Sequence, residues 1–171
     1  NVPSVRSSAA GALVQGACIA ELGAGTGLAG LHAAALGARQ LVLSDALTRS
    51  HGKAGELEAL LSSNIERNRH LLTSCAGALA VADCDFANPP HAEAVARLAL
   101  RRASEGAGPS VDGFDLVIVS DCTYEGIGVK FSELARTIQR TLRRHSSARA
   151  LVCHEVRLKP DAGLASDTDD V

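Results

Sequence analysis

A short glycine-dense segment near the amino end constrains the fold of this chain more than any other feature. The run at 19–30, Ile-Ala-Glu-Leu-Gly-Ala-Gly-Thr-Gly-Leu-Ala-Gly, reads as an apolar strand, a tight turn and the opening of a small-residue helix. Three glycines at alternate positions, Gly23, Gly25 and Gly27, allow the backbone to bend sharply and to bring its N–H groups close to a ligand. We therefore expect a ligand-binding strand–turn–helix unit here.

The residues around this turn restrict the class of ligand. A phosphate-binding loop ends in Gly-Lys-Ser or Gly-Lys-Thr because the lysine neutralises phosphate charge, and no lysine lies near this turn. Glu21 instead places a carboxylate just before the glycines. A carboxylate repels a triphosphate and tolerates a cationic amino-acid or sulfonium group. The sequence therefore predicts a ligand that carries hydroxyls or positive charge.

Strand and helix signals alternate along the whole chain. Apolar runs and helical periodicity predict five strands, at 17–22, 40–45, 78–83, 114–120 and 149–156, and four helices, at 26–36, 56–72, 88–102 and 130–144. This alternation predicts an α/β fold with a mostly parallel, twisted sheet and helices on both faces. In such sheets ligands bind at the carboxyl ends of the strands.

The composition fits one domain with an aliphatic core. The 171 residues are 46% hydrophobic, and three phenylalanines and one tyrosine are the aromatic residues. We expect a single domain over 1–171, with its core at 17–157 and a flexible acidic tail at about 160–171. The formal charge of -2 gives no reason to expect nucleic-acid binding, and the Arg-rich segment 136–144 is either a solvated helix face or a basic stripe.

Cysteine usage and hydropathy bear on location and cofactors. Five dispersed cysteines form no CxxC pair and no Cys/His spacing typical of a zinc site, so we expect no metal. They favour a reducing compartment, the cytoplasm, with the nucleus as the second candidate. No signal peptide and no apolar run of membrane-spanning length is visible, and we expect no membrane partner.

Carboxylates follow the second and third predicted strands. Asp45 comes about 20 residues after the glycine turn, where it either accepts hydrogen bonds from ribose hydroxyls or caps a turn. Asp83 and Asp85 follow the third strand, together with Phe86. A carboxylate and an apolar ring there suit an adenine base, and a solvated turn is the alternative interpretation.

The fourth strand ends in a second polar group. Ser120, Asp121 and Tyr124 lie there, and the last two either face a ligand across the strand ends or cap a turn and pack on the rim. Asn64 lies one helical turn from Asn68, and the two either bind substrate or, as we expect, have a structural role and pin the loop that follows the glycine turn. His154 in the fifth strand is expected to be an ordinary core or rim histidine.

Taken together, these motifs resemble those of the seven-β-strand, S-adenosylmethionine-dependent methyltransferases. More narrowly, they resemble the protein-lysine methyltransferase-like family sixteen. The similarity lies in the glycine run at 21–28, the Leu-Leu-x-x-Asn helix at 60–68, Asp85-Phe86, the acidic-x-x-Tyr motif at 121–124 and the Glu-x-Arg at 155–157. It covers about residues 17–157.

The resemblance implies a Rossmann-like fold, S-adenosylmethionine as the cofactor and a lysine of a protein substrate as the acceptor. It implies that Asp121 orients the acceptor amine and that Tyr124 shapes the channel wall. The cofactor contacts that it implies are Glu21, Gly23, Ala24, Gly25, Gly27, Asp45, Asp85, Phe86 and Ser120. Because the chain ends soon after the fifth predicted strand, we expect strands six and seven of the family to be missing.

Other functions compete with this one. A methyltransferase acting on a small molecule or nucleic acid would favour an Asn-Pro-Pro-Tyr type of motif, and the segment 121–124 has no proline. A methyltransferase-like module could instead hold the cofactor or a partner without turnover. An NAD dehydrogenase is disfavoured, because no histidine is evident on the hydride side.

Overall fold

The computed structural model describes residues 9–48, 55–75, 77–99, 113–123 and 130–155. Five strands and five α-helices occur within these ranges: α1 Ala9–Val14, β1 Cys18–Leu22, α2 Leu28–Ala35, β2 Gln40–Asp45, α3 Glu56–Asn68, β3 Leu79–Asp83, α4 Pro89–Arg97, β4 Leu116–Ser120, α5 Phe131–Thr141 and β5 Arg149–Cys153. All five predicted strands and all four predicted helices are therefore present, and α1 is an additional helix that the sequence did not predict.

The five strands form one parallel sheet with the order β3-β2-β1-β4-β5. β1 lies at its centre, where Ile19 pairs in register with Leu41 of β2 on one side and with Leu116 of β4 on the other. β2 and β3 lie on one side of β1, and β4 and β5 lie on the other, so the strand order changes direction between β1 and β4. Ligands bind at this point in sheets of this kind. The predicted α/β, Rossmann-like fold is confirmed.

Successive residues of β1 face two separate hydrophobic cores. Ile19 lies in one cluster with Leu61 of α3, and Leu22 lies in the other with Val95 of α4 and Leu134 of α5. Helices therefore cover both faces of the sheet, as predicted, and β1 is apolar at nearly every position because it is buried on both sides. β5 is an edge strand whose five residues are all exposed.

The predicted helix at 130–144 is too long. α5 ends at Thr141 because Leu142 takes an extended conformation, with φ -76° and ψ 135°, and the Arg143 N–H donates to Phe114 O at 2.9 Å. Arg143 is only 3% exposed, and its Nη1 lies 3.4 Å from Asp115 Oδ1. The basic segment is therefore not one continuous helix face, since this arginine is a core residue.

Several sequence predictions concern residues that lie outside the described ranges. These include Tyr124, nearly all of the predicted loop at 104–113 and the predicted tail at 160–171. No helix in the described ranges is long and apolar enough to cross a membrane.

Candidate functional site

The glycine turn lies at the carboxyl edge of the sheet and connects β1 to α2. Gly23, Gly25 and Gly27 have positive φ angles of 67°, 53° and 77°, which residues with a Cβ atom adopt only with strain. This backbone path therefore depends on glycine at all three positions. It takes the chain directly from the central strand into the neighbouring helix.

Three amides of the turn are paired within the protein. The Ala24 N–H donates to Ser44 O at 2.9 Å, the Gly27 N–H to Ala24 O at 2.7 Å, and the Gly25 N–H to Asp45 Oδ2 at 2.8 Å. The expectation that the turn presents its amides to a ligand is corrected to this extent. What the turn offers is space, because a Cβ atom built on Gly25 meets no described atom within 4 Å.

The other two glycines allow close packing between neighbouring strands. A Cβ atom on Gly23 would collide with Cys122 Sγ and lie 3.6 Å from Phe86 Cζ, and one on Gly27 would lie 2.8 Å from Leu43 Cδ1. Gly23 thus lies between the end of β4 and the loop after β3. Of the three glycines, Gly25 is the one that borders open space.

Glu21, near the end of β1, is buried, with 3% of its surface exposed. Its Oε2 accepts the N–H of Gly30 at 2.8 Å, in the first turn of α2, where the helix dipole favours negative charge. Burial nevertheless raises the pKa of Glu21 to about 7, and the charge of Asp45 adds to the rise. Glu21 therefore caps α2, and its carboxyl group is partly protonated at neutral pH.

Asp45 lies at the end of β2, beside the turn. Its Oδ2 accepts the Gly25 N–H, and its Oδ1 accepts the N–H of Ala46 at 2.7 Å. The carboxylate is thus adjacent to the open space at Gly25, as ribose binding requires. It also stabilises a turn, which is the other interpretation that the sequence allows. Asp83 differs, because its Oδ1 accepts the Leu47 N–H at 2.9 Å and holds the loop after β2.

The two asparagines of α3 both donate hydrogen bonds to backbone carbonyl groups. Asn64 Nδ2 donates to the carbonyl oxygen of Thr26, within the glycine turn, at 2.9 Å. Asn68 Nδ2 donates to Asn64 O at 2.8 Å. Asn64 therefore holds the chain at the turn, whereas the Asn68 side chain bonds within α3.

Asp85 and Phe86 follow β3 on the opposite side of the turn from β4. The Asp85 N–H donates to His91 Nδ1 at 3.1 Å, and its Oδ1 accepts the Ala87 N–H at 3.0 Å. The Asp85 carboxylate therefore forms a local turn. The half-buried ring of Phe86 reaches toward Gly23 and presents an apolar surface there.

Asp121 follows β4 in an uncommon backbone conformation. Its φ of 55° is the single positive value among non-glycine residues in the described part of the chain. Aspartate tolerates this region better than most residues, and backbone strain of this kind clusters at functional sites. The Asp121 N–H donates to Cys153 O of β5 at 2.9 Å, and its side chain is 36% exposed. The preceding Ser120 is also exposed.

Cys122 is the residue at this edge that sequence reasoning missed. The sequence indicates only a small apolar residue, and nothing about its spacing distinguishes it from the other cysteines. In the structure its sulfur lies 3.4–3.7 Å from three carbonyl oxygens at the ends of β1 and β4, those of Leu22, Gly23 and Ser120. The thiol therefore joins the glycine turn to the segment that carries Asp121.

The electrostatic surroundings of this thiol include three of the site carboxylates. Burial, and after it the nearby charges of Asp45, Asp121 and Glu21, together raise the pKa of Cys122 to about 11. Side chains from the ends of β1, β2 and β4 therefore act on the same group. The thiol stays protonated there at neutral pH.

A cavity of about 1070 Å³ opens at this edge of the sheet. The predicted site residues that line it are Glu21, Gly23, Ala24, Gly25, Ser120 and Asp121. It does not include Gly27, Asp45, Asp85 or Phe86 among its lining residues, and it continues along the same face of β4 and β5 as far as Arg149.

A Rossmann-like sheet with a glycine turn and an acidic strand edge defines the class of α/β proteins that bind nucleoside cofactors. A family model described as lysine methyltransferase matches residues 5–166. The chain therefore belongs to the lysine methyltransferase family, and the resemblance stated from its motifs is confirmed. The cofactor of this family is S-adenosylmethionine. A search of curated proteins finds no match.

Several solved methyltransferase structures are similar to this chain at low identity. Protein arginine methyltransferase 10 of Arabidopsis thaliana is 14% identical over 76% of this chain, with a TM-score of 0.47. A S-adenosylmethionine-dependent methyltransferase of Mesorhizobium loti is 19% identical over 78%, with a TM-score of 0.45. A ribosomal protein L11 methylase of Lactobacillus delbrueckii is 18% identical over 83%, with a TM-score of 0.38. The matched regions span 28%, 46% and 53% of those three chains.

The residues at the sheet edge fit S-adenosylmethionine. The space beside Gly25 is open, so a ligand can approach the turn where a side chain would otherwise lie. The carboxylates around Cys122 suit a ligand that carries a sulfonium and an ammonium group. The residues that would hold the cofactor are Glu21, Gly23, Ala24, Gly25 and Asp45.

Proposed function

We propose that this protein transfers a methyl group to a lysine side chain of another protein. The observation that carries the proposal is that Glu21 and Asp121 line one cavity together with Gly25, whose N–H is bonded to Asp45, in a chain of the lysine methyltransferase family. S-adenosylmethionine supplies the methyl group, activated by the positive charge of its sulfonium. The chain's own residues then have two tasks, to hold a cationic cofactor and to present an amine.

The reactivity of the amine is the main physical problem. A free lysine has a pKa of about 10.4, so its deprotonation near pH 7 costs about 4–5 kcal/mol. Burial and nearby positive charge lower the pKa of an amine, and a nearby anion raises it. A carboxylate at the acceptor position therefore attracts and orients the ammonium group and does not deprotonate it. We assign this positioning role to Asp121.

The two tasks divide the sheet edge between them. Glu21, the glycine turn and Asp45 form the cofactor side, and Asp85 and Phe86 extend it toward the adenine. Ser120, at the end of β4, stays a proposed cofactor contact, and Asp121, which follows it, forms the acceptor side. We keep Tyr124 as the channel wall in this proposal. The thiol of Cys122 lies between the two sides.

A protein substrate and a reducing compartment complete the proposal. The acceptor is a lysine on a partner protein, as the family description suggests. We propose the cytoplasm, or the nucleus, as the location. The support is that all five cysteines are free thiols, four of them buried, which suits a compartment where thiols stay reduced.

Methyl transfer into a cell extract tests the proposal most directly. The 171-residue chain is incubated with S-adenosylmethionine labelled in the methyl group and with a dialysed whole-cell protein extract. We expect label in protein, and mass spectrometry should map it to lysine. Label in RNA, or label in protein at residues other than lysine, would overturn the lysine assignment. Calorimetric binding of S-adenosylhomocysteine without any transfer would instead favour a binding module.

A variant of Asp121 tests the division of the site. Asp121→Ala should lower transfer at least about 100-fold, because it removes a charge-assisted hydrogen bond to the acceptor. The affinity for S-adenosylhomocysteine, measured by calorimetry, should change less than about threefold. Glu93→Ala, which removes an exposed carboxylate of α4, is the matched control and should resemble the wild type. Equal losses of transfer and cofactor affinity in Asp121→Ala would place Asp121 on the cofactor side.

A further inference from the structure

A polar cluster lies where β4 and β5 end, next to the proposed acceptor side. Thr123 Oγ1 and His154 Nδ1 are 2.7 Å apart, and the same nitrogen lies 3.8 Å from Asp121 Oδ1. The imidazole side chain is 40% exposed. It is therefore held between a hydroxyl and a carboxylate while part of the ring reaches solvent, a more specific environment than the core or rim position expected from the sequence.

We propose that His154 is a positioning residue for the lysine acceptor that acts through the charge of Asp121, with Thr123 fixing its ring. This inference rests on the proposed function of Asp121. A protonated imidazole offsets the negative charge of the carboxylate, and a neutral imidazole leaves it in force. The acceptor ammonium is therefore held more strongly when His154 is neutral. Since histidine side chains change charge between about pH 5 and 8, acceptor binding becomes pH-dependent.

Other titratable groups near this pair need to be separated from it. In the described ranges these are Cys122 on the β4 side, Cys153 and Glu155 beside His154 in the chain, and Glu21 and Asp45 around Cys122. The raised pKa of Cys122, about 11, keeps that thiol neutral. The pKa of Glu21, about 7, falls in the same range, but Glu21 lies on the cofactor side. A change in the charge of Glu21 should change cofactor affinity, whereas loss of the His154 imidazole should change acceptor binding.

A second histidine offers a matched control. His145 Nδ1 lies 2.8 Å from Ser147 Oγ, and the residue is exposed, as His154 is. It precedes β5, at the end of that strand opposite to Asp121. His145→Gln therefore removes an imidazole with a similar hydroxyl contact and leaves the proposed acceptor side unchanged.

The pH dependence of acceptor saturation tests the inference. The full chain, labelled S-adenosylmethionine and increasing amounts of dialysed whole-cell protein extract are combined at pH 6 and at pH 8. For the wild type and for His145→Gln, the half-saturating extract concentration should be about threefold higher at pH 6 than at pH 8. His154→Gln should abolish this difference by lowering the half-saturating concentration at pH 6. The maximal rates of the three proteins should change with pH in the same way. An unchanged ratio in His154→Gln overturns the inference.

Two further measurements separate a positioning role from a structural one. Thr123→Val should reduce the pH ratio, and Thr123→Ser should restore it. In a double-mutant cycle of melting temperatures without cofactor, the changes caused by His154→Gln and Asp121→Asn should deviate from additivity by about 1–3 °C at pH 6. They should be additive at pH 8.5. Additivity at both pH values overturns the pairing. A wild-type chain that transfers no methyl at all, yet shows the thermal coupling, overturns the proposed function instead.

Discussion

Buried charged side chains have different partners at the amino ends and at the carboxyl ends of the strands, here called the amino edge and the carboxyl edge of the sheet. At the amino edge, Asp115 and Arg143 are both almost fully buried and form an ion pair, 3.4 Å between Oδ1 and Nη1. Further hydrogen bonds complete this pair, from the Cys18 N–H to Asp115 Oδ2 at 2.9 Å and from Arg143 Nε to Gly113 O at 3.2 Å. Charge at this edge is matched by charge, and it joins β1 and β4 to the segment after α5.

At the carboxyl edge, Glu21 and Asp45 differ from this pair. In the described ranges no lysine or arginine pairs with Glu21 or Asp45, and the pKa of Glu21 is raised to about 7 in consequence of its burial. A buried charge with a matched partner contributes to structure, whereas a carboxylate with a perturbed pKa beside a cavity indicates a functional site. The difference between the edges therefore separates residues that hold the fold from residues available to a cationic ligand.

Breaking the ion pair at the amino edge should have the largest effect. Arg143→Ala leaves Asp115 buried without its cation, which costs about 3–5 kcal/mol of unfolding free energy. Urea unfolding followed by circular dichroism measures this loss. Arg144→Ala, which removes the exposed neighbouring arginine, should change stability by less than about 1 kcal/mol. If both variants lose less than about 1 kcal/mol of unfolding free energy, the ion pair at the amino edge does not stabilise the fold.

Filling the open space at the carboxyl edge should produce the next largest effect, and it should affect binding. Gly25→Val places a side chain where the Cβ direction is open and φ is 53°, so S-adenosylhomocysteine affinity should fall at least about 100-fold, or nearly 3 kcal/mol. Gly16→Val is the matched control, because Gly16 has a φ of 71°, a similarly open Cβ direction and a position between α1 and β1.

Calorimetry on the two glycine variants distinguishes strain from obstruction. Both substitutions impose a similar backbone strain, about 1–2 kcal/mol, so both should lower the melting temperature. The loss of ligand affinity should occur in Gly25→Val alone. Retained affinity in that variant would mean that the cofactor lies elsewhere on the sheet.

The sequence predicted the positions of acidic residues at the carboxyl ends of the strands better than it predicted the contacts at the amino edge. Glu21 and Asp45 could be found because each follows from a local pattern, a strand that ends beside a glycine turn and an acid at the end of the next strand. Asn64 could be placed because helical spacing put it on one face with Asn68. These are short-range rules, and the parallel sheet brings strand ends together without further information.

Arg143 and Cys122 could not be predicted because their roles depend on contacts between distant segments. Helical periodicity continues through 142–144, and α5 ends earlier only because Arg143 pairs with Phe114 and Asp115, almost thirty residues away in sequence. Cys122 matters because it lies under Gly23, about a hundred residues away. The role of Tyr124 stays a prediction, as do the roles of the individual cofactor contacts.

Removing the acid of Glu21 should have the smallest of these effects and should depend on pH. Its pKa is 4.5 in the reference state and about 7 in the folded protein, so between these values the folded state binds more protons and stability falls as pH rises. At about 1.4 kcal/mol per pKa unit, ionised Glu21 costs about 3 kcal/mol above pH 7. Glu21→Gln should recover about 2 kcal/mol at pH 8, because an amide accepts the Gly30 N–H less strongly than a carboxylate.

Urea unfolding at pH 5 and pH 8 checks this prediction. The gain in Glu21→Gln should nearly vanish at pH 5, where the wild-type side chain is already protonated, and Glu58→Gln, an exposed acid of α3, should show no gain at either pH. The same variant should bind S-adenosylhomocysteine about tenfold more weakly at pH 8, since the ligand's ammonium loses an anionic neighbour. A variant that is more stable and binds equally well would mean that Glu21 serves as a helix cap alone, and the contrast between the two edges would then rest on Asp45.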